Sequence, residues 1–241
     1  MAVTDLAVRT ESLAPPEHHI PAELLLDYAN GSLEEAWSLV VACHLTLCPQ
    51  CRRGLQAIEA TAGAMLDRIE EKPLRAASGG FAAVAAQLGA QDPAAPKAAA
   101  GTTAGGAAPD RYGLPQPLRR YLARGVDDIP WRWSGAGLQS FALPVAKRRG
   151  GMASLLRVAP GAGLPMHSHA GDEMTLVLSG GYTVGNTAFQ RGDVEIADGA
   201  VEHRPIAMPE QPCICLAVTD APLRFSGAFG WFFNQWARFS A

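Results

Sequence analysis

The chain has 241 residues, room for one large domain or two small ones, and 48% of them are apolar, enough to build real cores. Twenty Lys and Arg against 23 Asp and Glu leave a formal net charge of −3, which argues against a nucleic-acid binder or a membrane binder held by bulk positive charge. No apolar run of roughly 18 residues occurs, so no transmembrane helix is expected.

The first residues, MAVTDLAVRTESLAPPEHH, lack the basic start and apolar stretch of a signal peptide. The five cysteines fall in two tight groups rather than spreading as a disulfide framework. Together these features point to a cytoplasmic protein with thiol or metal chemistry. Texture changes twice along the chain. Residues 20 to about 91 are Leu/Ala-rich with helical periodicity. Residues 92–111, DPAAPKAAAGTTAGGAAPDR, are low-complexity and read as a linker. From 112 to 241, short apolar runs alternate with Gly, Pro and Asp turns, the texture of an all-β domain.

A first helix begins at Pro21, a residue suited to a first helical turn, and stops at Asn30-Gly31. Ser32 and Glu35 have the spacing of a capping box for a second helix, LEEAWSLVVACHLTL. Pro49 disfavours helix at Cys48 and suits the start of a third, over roughly 49–71. FAAVAAQLGA, 81–90, reads as a fourth. The second helix is apolar around most of its circumference, so it must be covered on more than one side, by the β-domain, by the fourth helix or by a partner.

His44, Cys48 and Cys51 form H-x3-C-x2-C across the Pro49 break. Structural zinc takes four N or S donors in a tetrahedron, and these three lie within one turn of each other. Antiparallel packing of the first two helices would return His18 or His19 toward them as the fourth. The bland alternatives are a buried cysteine pair or a redox motif, which would want a βαβ context absent here. Cys43, just before the motif, reads as a small core residue.

A second constellation follows in the β-rich half: Gly161-x5-His167-Ser168-His169-x3-Glu173-x6-Gly180, then Gly192-Asp193 and His203 eleven residues beyond Gly192. His167 and His169 are two apart, so on a strand they share a face. This pattern resembles the cupins, double-sheet jelly rolls. It departs from their second motif in having Asp198 and Ala200 where Pro and Gly are usual. Three imidazoles and a carboxylate suit zinc, iron, manganese or nickel. Cys213 and Cys215 alternate on a strand, as do Trp131 and Trp133. The cysteines are expected to be buried small residues too far apart to bond each other, or else a reactive pair near the metal. The tryptophans are expected on an outer strand face. Met166 and Met174 flank the metal donors and are expected to pack in the core.

Taken together, the paired motifs resemble the ChrR-type zinc anti-sigma factors. His19 and His44 are separated by 24 residues and followed by Cys48 and Cys51, which selects His19 over His18. The second half, with His167, His169, Glu173, His203 and the tail CICLAVTDAPLRF, is similar to the family's cupin-like domain. The resemblance implies a two-domain α+β protein: a small zinc-binding helical domain (1–91), the linker (92–111) and a cupin-type β-barrel, or jelly roll (112–241). It implies Zn2+ at two sites and a protein partner, an extracytoplasmic-function sigma factor of the SigE/RpoE group, sequestered from RNA polymerase. It further implies a non-enzymatic sensor that releases sigma under singlet oxygen or peroxide. On this reading Trp37, Val40 and Val41 of the second helix face the sigma factor, with no direct contact to nucleic acid or membrane. The competing expectation is a cupin-type metal-dependent dioxygenase with a zinc-binding helical appendage.

Overall fold

The structure is a computed structural model, and it describes residues 15–70, 80–89, 113–122, 128–135, 137–146, 151–221 and 223–225. The proposed linker, 92–111, lies outside the described residues. The chain divides into two compact units, residues 1–59 with 110–241, and residues 60–109. As a unit of compaction, then, the first helices belong with the β-rich half. Among the described residues no helix is long and apolar enough to cross a membrane.

The helices of the first unit are α1 (Ala22–Ala29), α2 (Glu35–Leu47) and the start of α3 (Pro49–Leu66). The second unit holds the rest of α3 and α4 (Gly80–Gly89). A short α5 (Gln116–Arg119), which periodicity does not reveal, rejoins the first unit. Gly31, at φ +69°, makes the left-handed turn after α1 that a residue with a Cβ would resist. Cys48 sits between α2 and α3 with extended dihedrals (φ −108°, ψ 105°), the conformation a following proline imposes.

The start of α2 differs from the expected capping box. Its N-cap is Glu34 and makes no side-chain cap bond. Ser32 instead donates its hydroxyl to the carbonyl and carboxylate of Asp27, each at 3.0 Å. Glu35 accepts from Tyr121 Oη at 2.9 Å and from the Ala146 amide at 2.8 Å. Its carboxylate is thus committed to the β-rich half rather than to the helix's own first turn.

Among the described residues twelve strands follow: β1 (Arg132–Trp133), β2 (Leu138–Ala142), β3 (Met152–Val158), β4 (His167–His169), β5 (Glu173–Ser179), β6 (Gly181–Val184), β7 (Thr187–Gln190), β8 (Val194–Ala197), β9 (Glu202–His203), β10 (Ile206–Ala207), β11 (Cys213–Thr219) and β12 (Leu223–Phe225). They build a six-stranded sheet, β1-β2-β3-β11-β5-β8, and two three-stranded sheets, β10-β6-β7 and β12-β4-β9. Every pairing is antiparallel, as a cupin jelly roll requires.

The central strands β5 and β11 of the six-stranded sheet are buried on both faces, and the strand period assigns them. Met174, Leu176 and Leu178 of β5 and Ile214, Leu216 and Val218 of β11 join one core with Leu39, Val40 and Val41 of α2. The alternate residues Val177, Cys213 and Cys215 join a second core with Val158, Tyr182 and Phe189 inside the barrel. The all-round apolar surface of α2 is therefore answered by the sheet, with α1 and α5 alongside. Val40 and Val41 are fully buried, so the expectation that they face a protein partner is corrected. Trp37 is only partly buried but packs on the same core. The tryptophan pair also divides: Trp133 is exposed on β1, whereas Trp131 precedes the strand and packs against the core. Met174 is buried as expected, but Met166 is exposed.

Candidate metal centres

The first centre lies where the segment before α1 meets the α2–α3 junction. His19, His44, Cys48 and Cys51 each offer a donor atom, and the four atoms lie within 4.8 Å of one another. Two helices folding back through the Gly31 turn bring His19 to the end of α2, 3.3 Å from Nδ1 to Cys48 Sγ. His18 takes no part; its ring packs against Phe189 at 4.4 Å between centroids, tilted by 38°. Cys48 and Cys51 are one turn apart across the start of α3, and the Cys51 amide donates to Cys48 Sγ at 3.4 Å. Cys43 is buried away from the cluster, and burial pushes its thiol up to about 12.

The chemistry of this cluster asks for a cation. Burial pulls the His44 imidazole down to about 4, keeping it in the neutral form that ligates metals. Its Nδ1–H donates to the Gly192 carbonyl at 2.8 Å, which leaves Nε2 as the lone-pair nitrogen. That Nε2 is buried with no hydrogen-bond partner. Burial, reinforced by neighbouring Cys48, pushes the Cys51 thiol up to about 11. Two buried thiols and an orphaned imidazole nitrogen are costly alone and are satisfied together by one tetrahedral ion.

The second centre is inside the barrel. His167 and His169 sit on β4 and His203 on β9, and the register pairs His167 directly with His203. All three are buried, and each ring's inward nitrogen meets the others: His203 Nε2 is 3.0 Å from His167 Nε2 and 3.1 Å from His169 Nε2. The outward nitrogens face acceptors. His167 Nδ1 donates to the Pro165 carbonyl at 2.9 Å, and His203 Nδ1 to Glu195 at 2.9 Å. His169 Nδ1 stands 3.1 Å from the Glu173 carboxylate, without the alignment of a hydrogen bond. The Nδ1 protons on His167 and His203 turn two Nε2 lone pairs toward each other. A cation between them would relieve that repulsion, so the trio fits a metal.

Glu173 differs from the three histidines in position. Its carboxylate is not in the converging trio; it lies beside His169 Nδ1 and accepts from Thr175 Oγ1 at 3.0 Å. Burial would push its pKa up, but the His169, His167 and Thr175 contacts outweigh that and hold the carboxyl below the usual carboxylate range, so it stays charged. Burial likewise opposes charge on His203, yet the Glu195 hydrogen bond and charge leave it more basic than usual. Glu173, His167 and His203 line one small cavity of about 60 Å3 with Tyr182, Cys213 and Cys215.

Sequence reasoning missed Glu195, which binds His203 through Oε1 and accepts from Tyr182 Oη at 2.6 Å through Oε2. Its only signal is strand alternation after Gly192-Asp193, which an ordinary solvent-facing acid would share. Cys213 and Cys215 are both buried and free, with their sulfurs 3.4 Å apart, near but not bonded. The β11–β5 register is irregular beside this pair, at Ile214/Cys215. The departure at Asp198 and Ala200 also has a local solution: Asp198 Oδ1 accepts the Ala200 amide at 2.9 Å, an Asx-type turn.

Comparison with known proteins agrees with both halves. Residues 121–222 match the family model described as the ChrR cupin-like domain. The anti-sigma-E factor ChrR of Cereibacter sphaeroides is 41% identical over 210 residues, covering 87% of this chain and 92% of that protein. The crystal structure of Rhodobacter sphaeroides SigE in complex with the anti-sigma ChrR matches at 38% identity and a TM-score of 0.67, covering 85% of this chain and 99% of that one. An acetylacetone dioxygenase from Acinetobacter johnsonii matches at 15% identity and a TM-score of 0.39, too weak a likeness to bear on function. With four N and S donors gathered before a barrel that holds a histidine trio, and with the ChrR relative matched over nearly its whole length, the chain belongs to the ChrR family of anti-sigma factors.

Proposed function

We propose that this protein binds an extracytoplasmic-function sigma factor of the SigE/RpoE group in the cytoplasm and keeps it from RNA polymerase. The observation that carries this reading is the match along 85% of the chain to the structure of a sigma factor with its anti-sigma protein. In functional terms residues 1–91 hold the sigma factor, 92–111 link, and 112–241 sense. The protein acts as a regulator rather than as an enzyme.

His19, His44, Cys48 and Cys51 are proposed to hold Zn2+. Bound there, the ion cross-links the segment before α1 to the α2–α3 junction and neutralises both thiolates. His167, His169 and His203 are proposed to hold a second ion through their inward nitrogens, with Glu173 as the fourth donor from the same cavity. Singlet oxygen or peroxide acting at the barrel is proposed to end the sigma complex. Among the described residues, the exposed parts of α1, α3 and α4 are the helical surfaces left for sigma, since α2 is covered by the sheet.

The test is a pull-down combined with metal analysis. The full chain is expected to recover one sigma factor and to carry zinc, with Cys48 and Cys51 protected from alkylation. C48A/C51A is expected to lose sigma binding, and full affinity in that metal-free variant refutes the reading. For the sensor half, H203A is expected to retain sigma on oxidant exposure while still binding it beforehand.

A further inference from the structure

We infer that the turn between β7 and β8 is a positioning device for the N-terminal metal site, with Asp193 as its central residue. The inference rests on the metal reading of the preceding section. Asp193 is a buried carboxylate, 4% exposed, with three backbone donors. Its Oδ1 accepts the amides of Glu17 at 2.7 Å and His18 at 2.9 Å. Its Oδ2 accepts the amide of Gln190 at 2.7 Å, closing the turn on itself. The next amide, Val194, donates to the His18 carbonyl at 3.3 Å. The peptide immediately before the ligand His19 is thus held from both ends by a turn more than 170 residues further along the chain.

Gly192 makes the second connection. Its carbonyl accepts from Nδ1 of the ligand His44 at 2.8 Å. It adopts φ +97°, and a Cβ there would lie 2.6 Å from Pro16 Cγ and 3.6 Å from Leu47 Cβ. Only glycine permits the turn to come this close to the segment before α1 and to the end of α2.

The donor set therefore divides by what orients it. Cys48 and Cys51 are fixed locally, by the Pro49 break and the first turn of α3. His19 and His44 come from separate segments, and both are oriented by residues 192 and 193 of the barrel half. An acceptor on the outer nitrogen of a ligating histidine, and the bonds that hold its backbone, set how tightly the ion is retained; losing such a partner typically costs roughly 10–100-fold in metal affinity.

The experiment uses the full zinc-loaded chain, challenged with the chelator 4-(2-pyridylazo)resorcinol while alkylation of Cys48 and Cys51 is followed by mass spectrometry. D193A removes all three acceptor contacts and is expected to speed metal loss from this site by roughly 10–100-fold. D193N keeps an acceptor oxygen but meets one amide with its NH2 group, and is expected to fall between D193A and the native chain. V218A, a core truncation in β11, provides a control for general destabilisation and is expected to release metal at the native rate. Cobalt substitution gives a second readout: D193N is expected to shift the ligand-field bands while keeping the thiolate charge-transfer band. Native-rate release from both Asp193 variants overturns the inference, as does V218A releasing metal as fast as D193A. A native chain whose Cys48 and Cys51 alkylate freely after zinc loading overturns the metal reading as well.

Discussion

Cys43 and Cys51 show how far burial alone separates residues of the same type. Both thiols are pushed up, but Cys51 faces Cys48 and two imidazoles, whereas Cys43 sits in the core beside the Leu118 backbone. The Cys43 shift has a signed consequence. From its ordinary 9.0 the folded-state value rises to about 12, so above pH 9 the unfolded chain loses this proton first. The contribution to stability is fully present below pH 9 and is eroded as pH climbs toward 12, by about 4 kcal/mol at most. Urea midpoints at pH 8 and 10.5 should fall further for the native chain than for C43A. In the barrel, Tyr182 is the buried donor to Glu195, at 2.6 Å. Tyr182→Phe leaves one oxygen of a carboxylate without its donor and is expected to cost about 1.5–3 kcal/mol of stability by urea titration. Since Glu195 still binds His203 through its other oxygen, the barrel ion should be retained more firmly in that variant than in Glu195→Gln, as read by chelator competition.

At the scale of elements, α2 separates what a sequence carries from what it does not. Its apolar residues run around the helix, which demands cover but does not name it. The cover is β5 and β11, more than 130 residues downstream, and no local pattern ties Val41 to Leu216. Strand β4 is the opposite case: His167 and His169 share a face because the period is two, and the resemblance to cupins places that face inside a barrel. Three donors of the first cluster, His44, Cys48 and Cys51, were legible from local spacing, since Pro49 and the Cys-x2-Cys pair act within one turn, whereas the choice of His19 over His18 came from the family resemblance. Ser32 and Glu35 satisfied the capping pattern, yet Glu35 found stronger partners in Tyr121 and the Ala146 amide. Glu195 and Asp193 were invisible because an acid on a strand or turn looks alike whether it meets solvent, a histidine or an amide. The buried face of α2 gives an energetic prediction. Val41→Ala removes two buried methyl groups and should cost about 2 kcal/mol in a urea titration. The folded fraction should hold sigma with native affinity, because the side chain is fully buried.

For the molecule as a whole, β8 and the turn residue just before it reach both candidate metal centres. Asp193, at its head, holds the peptide before His19, and Glu195, two residues on, holds His203. Asp193 in the turn and Glu195 on the strand are two residues apart in the chain, so a displacement of one carboxylate can be felt at the other. Energetic coupling between two sites is reciprocal, commonly 1–3 kcal/mol, or about 5–150-fold in affinity. A double-mutant cycle tests whether β8 carries it. Glu195→Gln, which loosens His203, should raise the rate at which chelator exposes Cys48 and Cys51 by several-fold in the native background. In a D193N background the same substitution should add little, since the connection to His19 is already weakened. Equal effects of Glu195→Gln in the two backgrounds would mean that the candidate centres act on the N-terminal helices separately, and that the cover of α2 by β5 and β11, rather than β8, transmits what happens in the barrel.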